Sequence, residues 1–309
     1  AGLLLCGLAG EAYCRLAGLH PLEAYRDQDF PKTDIFIPSN ILPFELAPDL
    51  PGFSNSLGMR DKERSVKKAP GVYRIAVLGD SVAMYGRYTE YLEEALDRRQ
   101  DRRVEVWNCA IGGHGIADYY HNLKHRVLGY RPDLVIIGFC LNDFAPTPVM
   151  FRAEDGRMLC YRPFYLAKGN WDNWLYRRSH LYRLILTRLE AARGRRRCFD
   201  PEMIGRLYLG RIQELCRRAS IPLLAVVFPY FIPQSEREPQ YLAMKKVLEE
   251  SGVDFIDLHR TFKPEQRDSY AQHFPDHKDV FHPTDPAHQI VADVIAGHLR
   301  DAGMLESLR

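Results

Sequence analysis

From Arg74 onward the chain alternates between two hydrophobic periods. Short, nearly continuous apolar runs at Arg74–Leu78, Val104–Asn108, Leu134–Phe139, Pro222–Phe228 and Asp254–Leu258 predict strands buried on both faces. Between them apolar residues recur at helical spacing. Tyr88, Tyr91, Leu92, Ala95 and Leu96 follow Gly86, and Tyr119, Leu123, Val127 and Leu128 precede Pro132, so each set predicts an amphipathic helix. Buried strands that alternate with helices predict an α/β fold, a parallel five-stranded sheet covered on both faces. Right-handed crossovers then put any ligand site at the carboxyl ends of the strands.

Three stretches fall outside this pattern. Residues Pro31 to Pro70 are rich in Pro, Asn and Gly and predict an extended arm around the next domain. Within the arm, Asn55-Ser-Leu-Gly-Met-Arg-Asp61 has turn chemistry; it reads as a structural turn, with Arg60 or Asn55 at the border of a pocket as the alternative. Between Pro146 and Pro222 the alternation stops, in a stretch carrying Trp171, Trp174 and many Arg and Tyr. Helices are predicted there over Trp171–Ala192 and Pro201–Arg218, as an insertion over the site rather than a second domain. The first ten residues are apolar but too few to span a bilayer. They read as the remainder of a signal or anchor segment, which would put the body outside the cytoplasm, with a short packed helix of a cytosolic protein as the other reading. The expected division is residues 1–20 as that remnant, 21–70 as the arm, and 71–302 as the main domain with its insertion at 146–220.

Composition adds mainly exclusions. Net charge is +2 over 309 residues, so nothing points to nucleic acid, and the cluster Arg193–Arg197 reads as a solvated loop. The seven cysteines include no Cys-x-x-Cys pair, which argues against a zinc site or a disulfide framework. Cys109 and Cys140, at apolar strand ends, read as buried thiols.

Polar residues gather where the strands end. The first strand breaks at Gly79-Asp80-Ser81 and a helix follows. This geometry exposes a serine hydroxyl at the sheet edge, with its backbone N–H at a helix N-terminus. After the second strand comes Asn108-Cys-Ala-Ile-Gly-Gly-His-Gly115, and after the third Gly138-Phe-Cys-Leu-Asn-Asp143. The last block, Asp279-Val-Phe-His-Pro-Thr-Asp-Pro-Ala-His288, sets Asp279 and His282 three residues apart before a helix predicted over Gln289–Leu299. On one tight turn the carboxylate can fix the imidazole tautomer while the ring reaches a serine. The bland alternatives are Ser81 as a helix cap and Asn142-Asp143 as a structural turn.

Taken in order, Gly79-Asp80-Ser81, the block ending in Gly113, Asn142-Asp143 and Asp279-x-x-His282-Pro resemble the SGNH (GDSL-type) hydrolases over residues Arg74 to Leu299. The Asn55–Asp61 arm and apolar N-terminus also resemble bacterial, membrane-anchored members that process cell-surface polysaccharide. The resemblance implies a three-layer, flavodoxin-like α/β/α sandwich. It also implies Ser81 as nucleophile, His282 as base and Asp279 as its orienting acid. The implied oxyanion donors are the Ser81 and Gly113 backbone N–H groups and the Asn142 side chain. Cys140 stands where the family usually carries Gly, which predicts a narrower pocket or a displaced Asn142.

A second pair, Asp285 and His288, competes with the first; His288, at a helix start, is expected to make a supporting hydrogen bond. His273, His277, His282 and His288 are too irregularly spaced for a metal site, and no cofactor is required. His114 and Asp118 line either the pocket or the surface. Three functions stay open: an esterase for small acyl esters, most plausibly acetyl on carbohydrate; an acyltransferase to a sugar hydroxyl using the same triad; and a non-catalytic carbohydrate-binding protein of the envelope. Expected partners are small-molecule or polysaccharide esters and, through the N-terminus, a membrane.

Overall fold

Four strands are buried along nearly their whole length, and a fifth, at a sheet edge, is partly exposed. The computed structural model describes residues 2–19, 34–97, 103–144, 147, 149–152, 158–161, 175, 178–193 and 201–305. They form two units, Glu45–Ala145 with Pro201–Arg309, and Ala1–Phe44 with Pro146–Asp200. In the larger unit β1 (Tyr73–Gly79), β2 (Val104–Asn108), β3 (Leu134–Phe139), β4 (Leu223–Val227) and β5 (Asp254–Asp257) make one parallel sheet in the order β2-β1-β3-β4-β5. Each strand lies within a residue of its predicted bounds, and this order is the flavodoxin-like one, with its switch point beside β1.

Alternation along the strands feeds two cores. Ala76 and Leu78 of β1 join Val135, Ile137 and Phe139 of β3 in a cluster with α3 (Ile116–His125), α4 (Pro201–Arg218) and α5 (Pro239–Ser251). Ile75, Val77 and Ile136 are equally buried and point to the opposite face by the period of two. On the side away from that cluster, α2 (Tyr88–Asp97) packs on α6 (Asp285–Asp301). A short α1 (Ser81–Tyr85) leads out of β1. The arm from Glu45 to Pro70 closes the β2 edge: Arg64 donates to the Val106 carbonyl (2.7 Å) and Asp61 accepts the Asn108 N–H (3.2 Å).

Two predicted details change. The last helix starts at Asp285, not Gln289, because Thr284 is its N-cap and Pro286 stands in its first turn, where a missing N–H costs nothing. An antiparallel ribbon of β6 (Ala271–His273) and β7 (Lys278–Pro283) replaces the tight turn expected around Asp279.

In the smaller unit a helix Gly2–Leu16 meets a helix His180–Arg193. Glu11 caps the second helix by accepting the His180 and Leu181 N–H groups at 3.1 and 2.9 Å. A hairpin of Val149–Arg152 with Met158–Tyr161, not foreseen, completes it. No helix among the described residues is long and apolar enough to cross a membrane. Trp171, Trp174 and the cluster after Arg193 lie outside the described residues.

Candidate active site

The serine is presented by a strand end that only glycine allows. A Cβ on Gly79 would sit 2.6 Å from the Ala83 methyl and 3.0 Å from the Gly138 carbonyl oxygen, because β1 and β3 run side by side there in register. Asp80 is the N-cap of α1, its Oδ1 accepting the Val82 N–H at 2.8 Å. The cap is therefore Asp80 rather than Ser81, and the serine hydroxyl is left for another partner.

That partner is His282. The Ser81 hydroxyl lies 2.8 Å from His282 Nε2, and His282 Nδ1 lies 2.6 Å from Asp279 Oδ2. The other carboxylate oxygen, Oδ1, accepts the backbone N–H groups of Phe281 (2.9 Å) and His282 (3.0 Å). A carboxylate so held keeps the proton on Nδ1 and leaves Nε2 able to accept from serine. Burial alone would raise the Asp279 carboxyl, but the His282 ring and the two backbone donors outweigh it and hold it below the ordinary range. The ribbon explains the display. Gln272 pairs with Asp279 while its neighbour Ala271 pairs with Pro283, so Val280, Phe281 and His282 bulge out of the ladder toward the serine. Phe231 N–H anchors the bulge to the β4–α5 loop through the Val280 carbonyl, at 2.7 Å.

The expected oxyanion segments flank this centre. A Cβ at Gly112 would lie 3.5 Å from Ser81 Cβ, so that loop passes directly beside the serine, and Gly113 follows at φ +75°, a conformation suited to glycine. Asn142 is exposed on the turn beyond β3. Asp143 N–H donates to the Cys140 carbonyl, and the Asp143 carbonyl accepts the Ile116 N–H at 2.8 Å, which ties the two loops together. Cys140 is buried, with the backbone N–H groups of Asn142 and Leu141 directed at its sulfur. Its side chain thus lies beneath the turn, inside the protein.

Two carboxylates lie under the site. Burial pushes Asp80 up to about 6, against the pull of the Val82 N–H and the His282 charge. Burial, with Asp80 nearby, raises Asp143 well above the usual carboxylate range. His114 and Asp118 are both buried, and Asp118 caps α3 by accepting the Gly115 N–H at 3.1 Å; neither is a surface residue. His288 does not make the expected hydrogen bond. Its Nδ1 is buried without a partner among the described residues, burial lowers its pKa to about 4, and it packs against Tyr88.

A family model for GDSL-like lipases and acylhydrolases matches residues 77–290. The chain belongs to that family. It is accordingly a carboxylic ester hydrolase by class. A search of curated proteins finds no significant match. Among solved structures it is similar to a lipase/acylhydrolase from Enterococcus faecalis (15% identity, TM-score 0.46, 74% of this chain and 96% of that one). It is also similar to the acetyl xylan esterase AlAXEase (17%, 0.44, 73% and 99%). A third is BT4096, a gut microbial diltiazem-metabolizing enzyme (15%, 0.44), of which the chain covers 47% while 74% of it is matched.

This acylhydrolase carries a second Ser–His–Asp triplet that sequence reasoning missed. Ser235 Oγ lies 3.0 Å from His259 Nε2, and His259 Nδ1 lies 3.0 Å from Asp257 Oδ1. It has no nucleophile to offer: Ser235 is 0% exposed, and its oxygen already accepts the Tyr230 N–H at 2.8 Å. The triplet fixes the loop from which Phe231 anchors the His282 bulge. The rim of the site was missed as well. Tyr85 meets the His282 ring edge-on at 5.9 Å, and Phe281, 47% exposed, meets Tyr230 edge-on at 5.0 Å. The signal for Tyr85 was available: Ser81 and Tyr85 are four apart on one helix and share a face.

Proposed function

We propose that the protein is a serine esterase that removes small acyl groups, acetyl foremost, from a carbohydrate through an acyl-Ser81 intermediate. The observation that carries the reading is the continuous hydrogen-bonded chain Ser81–His282–Asp279 at 2.8 and 2.6 Å, with the serine half-buried rather than sealed. Ser81 gives its proton to His282 Nε2 as Oγ attacks the ester carbonyl. The tetrahedral oxyanion is held by the Ser81 and Gly113 N–H groups and the Asn142 amide, each worth about 3 kcal/mol. Collapse breaks the ester bond, and His282 returns the proton to the departing alcohol. Water, deprotonated by His282, then releases the acid and frees Ser81. Asp279 stays ionised throughout and stabilises the imidazolium.

Phe281, 47% exposed at the rim, suits the flat side of a sugar ring beside a small acyl group. An extracytoplasmic, membrane-associated location belongs to the same proposal. It is supported by the N-terminal helix, where Leu5, Leu8 and Leu16 are 66, 61 and 90% exposed. The test measures acetate release from O-acetylated oligosaccharides by the wild type and Ser81→Ala, with and without an added unacetylated sugar. Release that vanishes in the variant supports the esterase. Acetyl appearing on the added sugar at the expense of free acetate would make the protein a transferase. Oligosaccharide binding with no turnover in either protein would overturn both in favour of a binding protein.

A further inference from the structure

We propose that Arg60 forms an anion subsite beside the catalytic histidine and selects substrates that carry a carboxylate, namely esters on uronic acid units. The proposal rests on the esterase reading and names its substrate class. The Arg60 guanidinium lies against two rings that meet edge to face, 4.5 Å from the Phe53 centroid and 5.0 Å from the Tyr85 centroid. Tyr85 is the ring that meets His282 edge-on. The cation is thus one aromatic ring away from the group that activates Ser81.

Contact with a ring is no substitute for a hydrogen-bond acceptor, so it does not satisfy the guanidinium N–H donors. No hydrogen-bond acceptor or carboxylate among the described residues engages Arg60. The acids of its own loop are committed elsewhere: Asp61 to Arg64 at 2.8 Å, and Glu63 to the Ser56 hydroxyl at 2.7 Å. Arg60 is half-buried, so the side chain is partly open to solvent. A fork of coplanar donors is shaped for a planar carboxylate.

The loop holds this cation in place before any ligand arrives. Asn55 Oδ1 accepts the Leu57 and Met59 N–H groups, both at 3.0 Å, and its amide donates to the Lys62 carbonyl at 2.9 Å. Gly58 takes φ +66°, where a Cβ would lie 2.6 Å from the Leu46 carbonyl oxygen. Met59, immediately before Arg60, is buried in the main core, and Asp61, immediately after, is locked by Arg64. A preformed cation loses little freedom on binding. A cation held one ring away from His282 offers a sugar bound at the serine a partner for its carboxylate.

The test compares kcat/KM for an O-acetylated oligouronate and its carboxyl-reduced counterpart at low ionic strength, in wild type, Arg60→Gln and Arg60→Lys. The wild type is expected to prefer the acid by about tenfold or more, the worth of one charge-assisted hydrogen bond. The preference should reside in KM, fall below about threefold in R60Q, and be partly kept in R60K, which retains the charge without the fork. No preference in the wild type, or a preference that survives R60Q, would overturn the proposal. A binding measurement separates this from the esterase reading. In the Ser81→Ala background, the deacetylated oligouronate should bind about tenfold more weakly when R60Q is added. A protein that turns over no ester but shows that loss would sink the esterase and keep the subsite. Equal binding of a sugar phosphate, lost with R60Q in the same way, would overturn the assignment to carboxylate. Thermal melts of R60Q and R60K establish that each variant is folded.

Discussion

Asp279→Asn is the substitution whose consequence the geometry defines most sharply. An asparagine is isosteric, but one of its two terminal atoms becomes an NH2 donor. Oδ1 must remain an acceptor because two backbone N–H groups, from Phe281 at 2.9 Å and His282 at 3.0 Å, point at it. The NH2 group therefore falls at the Oδ2 position, 2.6 Å from His282 Nδ1. Facing a donor, Nδ1 becomes the acceptor and the ring proton moves to Nε2, which can no longer accept from Ser81. A wrong tautomer of this kind costs about 10⁴ in rate. Asp279 and His282 are 20 and 25% exposed, so water partly relieves the misfit, and the expected loss is about 10³-fold, roughly 4 kcal/mol of transition-state stabilisation. The assay is kcat/KM on p-nitrophenyl acetate, with a thermal melt to show that the bulge is still folded. A folded D279N that keeps more than about a tenth of wild-type activity would refute the reasoning, because the tautomer would not then be set by Asp279.

Other outcomes follow from the same structure. Asp80 ionises at about 6 in the folded protein against an ordinary value of 3.8, so the folded state binds the extra proton and stability falls as pH rises from about 4 to 6. Asp80→Asn keeps the cap but removes this penalty; it should be more stable than wild type at pH 8 by up to about 3 kcal/mol, and denaturant melts at pH 4 and pH 8 should show the gain only at the higher pH. Ser235→Ala should cost about 1–2 kcal/mol of stability by denaturant melt, since His259 and the Tyr230 N–H lose a buried partner. Ester turnover should stay within about threefold of wild type, and a larger loss would mean the second triplet takes part in the chemistry. Gly79→Ala should destabilise by at least about 2 kcal/mol, because both contacts at 2.6 and 3.0 Å involve groups fixed in helix and strand; a melting temperature equal to wild type would contradict the packing at the strand end.

The inner strands were readable because they are buried on both faces and nearly continuously apolar; Gly79-Asp80-Ser81, built of common turn and cap residues, took its weight from the blocks downstream. Asp279 and His282 were readable for a similar reason: they stand three apart just before a strongly periodic helix. The bulge that carries them was not, because β6 and β7 are short, mixed in polarity and paired only through Ala271, Gln272, His273 and their partners. His288 was expected to make a supporting hydrogen bond because it stood at the predicted helix start, whereas the helix begins three residues earlier and buries it. The Ser235–His259–Asp257 triplet joins the β4–α5 loop to the end of β5 and the turn after it, and no local spacing reaches Ser235. Arg60 stood out only as part of a turn, since its contact with Phe53 and Tyr85 depends on the arm lying against α1, which no periodicity encodes.

The central claim is that Ser81, and no other serine, is activated. Incubation of the folded protein with a fluorophosphonate, followed by peptide mapping, tests it most directly. The account predicts one adduct, on Ser81, absent from Ser81→Ala and slowed in D279N. A protein that stays unlabelled, or an adduct on Ser235, would contradict it.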